Sequence, residues 1–296
     1  MKYYIECLPC FVDQAVRCAS IVTEDNDLRN EILKGVLREL SKVGIERSPP
    51  EVAPLIYRVI EDLTGCDDPY IELKRRSNRI AKKMYPKFKR IVEDSEDKVT
   101  TALKLAIAGN IIDFGAASSF DVNGTIDRVL RSDLKADELK KFLERLESSK
   151  HVLYMADNAG EIFFDRLFLE ELSKLDGVNL KFAVKERPIL NDVLLDDAAF
   201  AGIAEFAEVV TTGAGSPGEG LRYCSEAFVD AFKSSDLVIS KGQGNFESIA
   251  GHIRDNHVFF LFIVKCPVIA RITGSEVGSV VFKNFGGDTY PASKDG

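Results

Sequence analysis

The stretch His151-Val-Leu-Tyr-Met-Ala-Asp157-Asn158-Ala-Gly160-Glu161 decides how the rest of this chain is read. Val152 to Ala156 is an apolar run of strand length that stops at Asp157, Asn158, a glycine and an acid, and a helical stretch, Ile162 to Leu175, follows at once. Most buried strands end in turn residues without chemistry. This one ends in two adjacent oxygen-bearing side chains on a tight turn. In an open α/β sheet, ligands bind outside the carboxyl ends of the strands. Asp and Asn are also favoured at helix N-termini, and one such pair alone would read as a cap and a turn. The other strand ends decide between the two readings.

Downstream, short apolar runs at Leu180–Val184, Glu208–Thr212, Leu237–Ser240, Val258–Val264 and Val280–Phe282 alternate with helical stretches. That alternation predicts βαβ units and a mainly parallel sheet. Upstream, the period is helical almost throughout. Cys10 to Val22 opens it, and Leu28, Ile32, Leu33, Val36, Leu37 and Leu40 repeat at three- and four-residue steps. Ser48-Pro49-Pro50-Glu51 is a helix start. Pro69 to about Val92 reads as a long basic helix, kinked or broken at Pro86, with its charges on a solvated face. Asp121 to Gly124 reads as a turn, and Ala136 to Leu146 as a charged helix leading to a junction near Ser149. Two domains are expected, an all-helical one over residues 1–149 and an α/β one over 150–296.

In the helix predicted from Ser95 to Phe114, Asn110 falls on the apolar stripe of Leu103, Ile107 and Phe114, with Asp113 on the neighbouring line. A buried amide or acid without a partner costs about 1–3 kcal/mol. Either the backbone satisfies this pair, or the helix presents it to a site in the other half.

The remaining strand ends tip the balance at Asp157-Asn158 towards a site. The second strand delivers Lys185, Arg187 and Asp192. The third ends in T-T-G-A-G-S-P-G, the fourth in S-K-G-Q-G-N-F-E from Ser240 to Glu247, and the fifth in Lys265-Cys266-Pro267. In a parallel sheet these ends share one edge. Oxygen donors from Asp and Asn suit hard divalent cations, whose open positions accept phosphate oxygens. Lys241 and Lys265 are placed to hold phosphate charge, and the glycine-rich turns, Gly242 among them, offer backbone N–H groups. Gly213-x-Gly215-x-x-Gly218 matches the dinucleotide fingerprint formally. The following strand ends in Ser240-Lys241 rather than in the acid that the fingerprint wants, so the loop reads as a tight or anion-binding turn. No G-x-S-x-G elbow is present, and Asp157 lacks the D-x-D spacing of phosphoaspartyl enzymes.

Composition bounds these readings. The chain has 296 residues, 45% of them hydrophobic and 29% charged, with a net charge of −8. That balance argues against general affinity for nucleic-acid phosphates. No apolar run approaches the ~20 residues that span a bilayer, and M-K-Y-Y-I-E-C lacks a signal-peptide core. A cytoplasmic protein with no membrane partner is expected. With three histidines in the chain, a His-rich zinc site is disfavoured. The six cysteines are scattered. Only Cys7-x-x-Cys10 has suggestive spacing, and a small buried apolar role is the simpler reading.

D-N-A-G-E at Asp157–Glu161, K-G-Q-G-N-F-E at Lys241–Glu247, V-K-C-P-V-I at Val264–Ile269 and the helix A-I-A-G-N-I-I-D-F-G at Ala106–Gly115 together resemble the metal-dependent damage-control phosphatase family, formerly a domain of unknown function. The N-terminal Cys-x-x-Cys is similar to that of its mainly microbial subgroup. The resemblance implies an all-α N-terminal domain packed on a Rossmann-like α/β domain. It also implies hydrolysis of small phosphometabolites, sugar phosphates or damaged metabolites, with Mn²⁺, Co²⁺, Ni²⁺ or Mg²⁺. By resemblance the metal ligands are Asp157, Asn158 and Asp192, the phosphate-binding lysine is Lys265, and Asn110 and Asp113 are the polar pair from the helical domain. Arg187, Lys241, Gly242, Asn245 and Glu247 complete the expected substrate side. Two other readings remain open at this point. One is an S-adenosylmethionine-dependent carboxyl methyltransferase, and the other a non-catalytic metal- or nucleotide-binding protein.

Overall fold

The computed structural model describes residues 3–44, 46–111, 122–131, 134–213, 221–253 and 255–285. The helical half comprises α1 (Leu8–Val22), α2 (Asn26–Leu40), α3 (Pro49–Thr64), α4 (Ile71–Glu93), α5 (Lys98–Ile111), α6 (Val122–Arg131) and α7 (Ala136–Ser148). The α/β half runs β1 (His151–Met155), α8 (Ile162–Leu172), β2 (Asn179–Val184), α9 (Leu195–Ala201), β3 (Glu208–Thr211), α10 (Glu226–Ser234), β4 (Leu237–Lys241), α11 (Gln243–Ile249), β5 (Val258–Ile263), α12 (Pro267–Thr273) and β6 (Val280–Asn284). Among the described residues no helix is long and apolar enough to cross a membrane.

Local signals set several boundaries. Ser48 and Glu51 form a reciprocal capping box at the start of α3, with the Ser48 N–H donating to Glu51 Oε2 at 2.6 Å. Gly65, left-handed at φ 69°, closes that helix. Pro86 neither breaks nor ends α4. It is exposed, so the carbonyl one turn back that loses its N–H partner has solvent to turn to. The basic face of α4 is also less solvated than its composition predicts, because Lys74, Ser77 and Asn78 are buried. Val122 to Gly124, expected in a turn, open α6 instead.

The strand order is β3-β2-β1-β4-β5-β6, parallel except for β6, which runs antiparallel to β5. Side chains alternate strictly across the central strands. Val152, Tyr154, Leu237, Ile239, Phe259 and Leu261 face one core, and Leu153, Met155, Val238, Phe260 and Phe262 face the other. Because both faces are covered, these strands read as continuous apolar runs.

The switch from helix to strand falls between Ser148 and His151, near the expected junction. The hydrophobic core does not divide there. Residues of α4 to α7, including Phe88, Leu103, Ile107, Ile126 and Phe142, share one cluster with α8 and the first sheet face. Only α1 to α3 build a separate core, which reaches the α/β half through Ile189 and Val268.

α5 packs closely against α8. A Cβ at Gly109 would stand 2.9 Å from Phe164 Cβ and 3.1 Å from its Cγ. A side chain there would push α5, and Asn110 with it, away from the sheet. Gly109→Ala is therefore expected to destabilise the fold by about 1–3 kcal/mol through overpacking, read as a lower denaturant midpoint. An unchanged midpoint would mean that the two helices are not held this closely.

Candidate active site

The strand order reverses between β1 and β4, and these neighbours pair in parallel from Val152 with Leu237 to Met155 with Ser240. Their outgoing chains part on opposite sides, leaving the crevice that α/β sheets use for ligands. Asp157 leaves β1 on one side and Gly242 leaves β4 on the other. Gly242 has φ 83°, and a Cβ there would lie 2.1 Å from Asp157 Cγ. The glycine is demanded twice, by its backbone conformation and by the carboxylate that fills the space of a side chain.

Asp192 reaches the same place from β2. The loop after β2 doubles back so that Asn158 and Asp192 form an antiparallel bridge. The Ala159 N–H donates to Asn191 O at 2.8 Å, and the Val193 N–H donates to Asp157 O at 2.9 Å. Asp157 and Asp192 are both buried. Burial first, and then the Glu161 carboxylate, push the Asp157 carboxyl up to about 6, against Lys265, Lys241 and Lys185. Burial also pushes Asp192 up to about 8; Lys185 opposes this and Asp157 adds to it. Asp192 Oδ2 has no hydrogen-bond partner among the described residues, and the Lys185 ammonium stays 3.9 Å from it. The Asn158 amide nitrogen donates to Asp157 Oδ2 at 2.6 Å.

The helical half supplies Asn110. Its amide nitrogen donates to Asp157 Oδ2 at 2.8 Å and to both Glu161 oxygens at 3.2 and 3.0 Å. Its Oδ1 accepts from the Ile263 N–H at 3.1 Å. The polar position in the stripe of α5 is thus a contact between the two halves. Asp113 lies outside the described residues.

Lys241 corrects an expectation. Its side chain does not face the crevice but points under it, fully buried. Its ammonium donates to Glu161 Oε1, to Asp165 Oδ1 at 2.6 Å and to Ala106 O at 2.9 Å. All three donors of the lysine are used, so none remains for a phosphate. Desolvation disfavours this charge, but Asp165 and Glu161 together outweigh it and hold the lysine protonated. Asn245 is likewise turned inward. It donates to Ala156 O at 3.0 Å and Lys241 O at 2.7 Å, and accepts from Lys185 at 2.9 Å. Lys185 is the buried cation beside the two acids. Its place at a strand end was legible, but Arg187, the other cation of that loop, is exposed.

At the mouth, Lys265 is exposed, and its charge favours ionisation of Asp157, Asp192 and Glu247. Its own N–H donates to Gln243 Oε1 at 2.8 Å. Gln243 Nε2 donates to Glu247 Oε1 at 2.7 Å, and burial pushes the Glu247 carboxyl up to about 7. Gly213, at φ 70°, is held tightly against Ser225 at the start of α10. Gly215 and Gly218 lie outside the described residues. Asp157, Asn158 and Asp192 are the oxygen-bearing side chains that the bridge between the two loops brings side by side; among the described residues no three His, Cys, Asp or Glu side chains cluster to hold a metal.

Lys241→Met would leave Glu161 and Asp165 facing each other without their cation. The expected cost is about 3–5 kcal/mol at neutral pH. Burial pushes Asp165 up to about 7 against the pull of the Lys241 ammonium, so without that ammonium the folded variant binds a proton more tightly than the folded wild type does. Lowering the pH from 7 towards 5 should therefore shrink the deficit of the variant, and urea titrations at the two pH values measure it. A deficit that stays constant or grows would contradict this arrangement.

Three comparisons bear on the whole chain. Residues 3–281 match the model of the damage-control phosphatase ARMT1-like domain. The damage-control phosphatase PH1575 of Pyrococcus horikoshii is 35% identical over 284 residues, 95% of this chain and 97% of that protein. A damage-control phosphatase of Archaeoglobus fulgidus is 32% identical over 290 residues, 96% of this chain and 99% of that protein. The crystal structure of the Pyrococcus horikoshii protein, described as a DUF89 family protein, superposes with a TM-score of 0.88 over 96% of this chain and 99% of that one. With sequence and fold both matched nearly end to end, the chain belongs to the ARMT1-like damage-control phosphatase family.

Proposed function

We propose that this chain is a metal-dependent phosphatase that hydrolyses phosphate monoesters of small metabolites in the crevice between α5 and the carboxyl ends of β1, β2 and β4. The observation that carries the metal dependence is the buried Asp192 Oδ2, which lacks a hydrogen-bond partner among the described residues and lies in a loop bridged to Asn158. An orphaned buried carboxylate oxygen is expensive, and a divalent cation shared with Asp157 would satisfy it. The donor set fits. Two carboxylates and an amide oxygen are hard ligands that suit Mg²⁺ or Mn²⁺, and Co²⁺ and Ni²⁺ accept the same donors.

When bound, such a cation polarises a phosphoryl oxygen and lowers the pKa of a coordinated water. The chain does the rest. Asn110 and Asn158 donate to one oxygen of Asp157, which fixes that carboxylate and turns its other oxygen to the ligand. The Asn158 nitrogen is committed to this bond, so its Oδ1 is the atom left for a cation. Lys185 balances the buried acids. Lys265 receives the phosphate, where an ammonium stabilises charge on the transferring group. Gln243, bonded both to Glu247 and to the Lys265 N–H, holds the segment that carries Lys265. Arg187, exposed on the loop that leads to Asp192, would meet any further anionic group. Among the described residues, nothing favours the methyltransferase or sensor readings over this one.

Chelated protein should be inactive on p-nitrophenyl phosphate and regain turnover with Mn²⁺, Co²⁺, Ni²⁺ or Mg²⁺, and a phosphometabolite panel run with each metal would then identify the substrate. Asp157→Ala and Asp192→Ala should each lose roughly 10³-fold or more in kcat/KM, the several kcal/mol expected of a lost metal. Full turnover by Asp157→Ala would remove this site assignment. Lys265→Ala should weaken phosphate binding without lowering the affinity for Mn²⁺.

A further inference from the structure

Two loops carry the acids, and their mutual spacing is not set by the sheet. They leave β1 and β2 as irregular chain and meet through the Asn158–Asp192 bridge and the bonds Ala159 N–H to Asn191 O and Val193 N–H to Asp157 O. A bridge this short fixes the register but leaves a hinge about its own axis. A third point of attachment outside the bridge would remove that freedom.

Asn78 of α4 is such a point. It is 2% exposed. Its Oδ1 accepts from the Gly160 N–H at 2.7 Å, two residues beyond Asn158. Its Nδ2 donates to Asp197 Oδ1 at 2.6 Å, and Asp197 Oδ2 accepts from the Leu194 N–H at 3.0 Å, two residues beyond Asp192. One side chain from the helical half therefore grips both loops just past their acids. The chemistry of the grip is specific. A backbone N–H needs an acceptor and a carboxylate needs a donor, and a primary amide offers both at the required separation. A carboxylate at 78 would face the Asp197 carboxylate, and an ammonium would face the Gly160 N–H.

The frame behind Asn78 is rigid. One turn earlier on the same face, Lys74 is buried in an ion pair with Asp68 at 2.6 Å. Further along α4, Phe88 packs on Phe164 of α8 with ring centroids 5.1 Å apart. Because α8 follows the Asp157 turn directly, α4 and the turn are referred to the same helix.

We infer that Asn78 is a positioning residue that sets the spacing of the Asp157 and Asp192 loops, and through it the affinity of the site for its cation. This rests on the metal-site reading above, although Asn78 touches neither substrate nor ligand. Residues that orient metal ligands typically change metal affinity roughly 10–100-fold when removed.

The test compares the full chain with Asn78→Ala and Asn78→Asp in two measurements. In metal-free protein, hydrogen exchange is followed at the Gly160 amide. Mn²⁺ affinity is then measured by the loss of the free-ion electron paramagnetic resonance signal. Asn78→Ala should exchange at Gly160 at least roughly tenfold faster and bind Mn²⁺ roughly 10–100-fold more weakly. Asn78→Asp keeps an oxygen for Gly160 and should retain more of the protection, yet still bind Mn²⁺ more weakly because its link to Asp197 is lost. If the alanine variant does not fold, the aspartate variant carries the affinity readout. Wild-type exchange at Gly160 in a folded Asn78→Ala, or wild-type Mn²⁺ affinity in either folded variant, overturns the inference and leaves the metal site standing. A wild-type chain that binds no Mn²⁺, and to which Co²⁺, Ni²⁺ and Mg²⁺ neither bind nor restore turnover, overturns the metal-site reading itself, and this inference with it.

Discussion

The structure depends on how one fully buried ammonium is accommodated. Lys241 is at the end of the strand next to β1, and an isolated charge at that depth would be intolerable. It is matched by Glu161 at the cap of α8, by Asp165 within that helix and by a carbonyl of α5. A buried ion pair of this kind rarely stabilises a fold more than apolar packing of the same volume would, whereas losing one partner is costly. Its consequence is therefore geometric. β4, α5 and α8 are held in one arrangement, and Glu161, fixed by the lysine, in turn accepts from Asn110. Asn110 donates to Asp157 as well, so the orientation of the crevice carboxylate is inherited from a charge pair beneath it.

The balance of buried charge around the crevice follows from the same network. Asp157, Glu161, Asp165 and Asp192 are buried with two lysines, Lys185 and Lys241. If all of them ionise, two negative charges are left uncovered. Burial accordingly pushes Asp157 up to about 6 and Asp192 up to about 8, while the exposed Lys265 pulls the other way. A surplus of two negative charges in a polar crevice with an unsatisfied carboxylate oxygen is the electrostatic complement of a divalent cation. Two acids kept apart by a cation pose no such conflict, whereas two acids alone do.

Much of this was legible in the sequence, for identifiable reasons. All six strands fall where the apolar runs place them, because a parallel sheet covered on both faces permits little else. Asn110 was legible as an anomaly, a polar residue on an apolar stripe, and the anomaly marks the place where α5 meets the site. Lys241 was misread because its position at a strand end was weighed and its face was not. Leu237, Ile239 and Lys241 share one side of β4 by the two-residue period, and that side lies under α5 and α8. Asn78 was hidden by composition. Lys74, Ser77, Asn78, Ala81, Phe88 and Val92 make an ordinary helical stripe, but its first turns are polar because they meet the loops of the site rather than the hydrophobic core. Within a run of lysines and arginines, such a stripe looks like solvated surface.

The division into a helical half and an α/β half therefore describes secondary structure better than it describes the working unit. α4 to α7 share their core with the sheet, and each of the two asparagines at the site seam comes from this part of the chain, Asn110 from α5 and Asn78 from α4. A bare doubly wound sheet would offer a crevice with acids at its rim, but the rims of such sheets are loops, and loops do not hold carboxylates at a fixed separation. Helices packed across one face supply amides that do so, each reaching a loop through bonds that only an amide can make at both ends. On this view the N-terminal helices belong to the site as much as the acids do, and their buried polar residues, more than the motif at β1, determine how firmly the crevice keeps its shape.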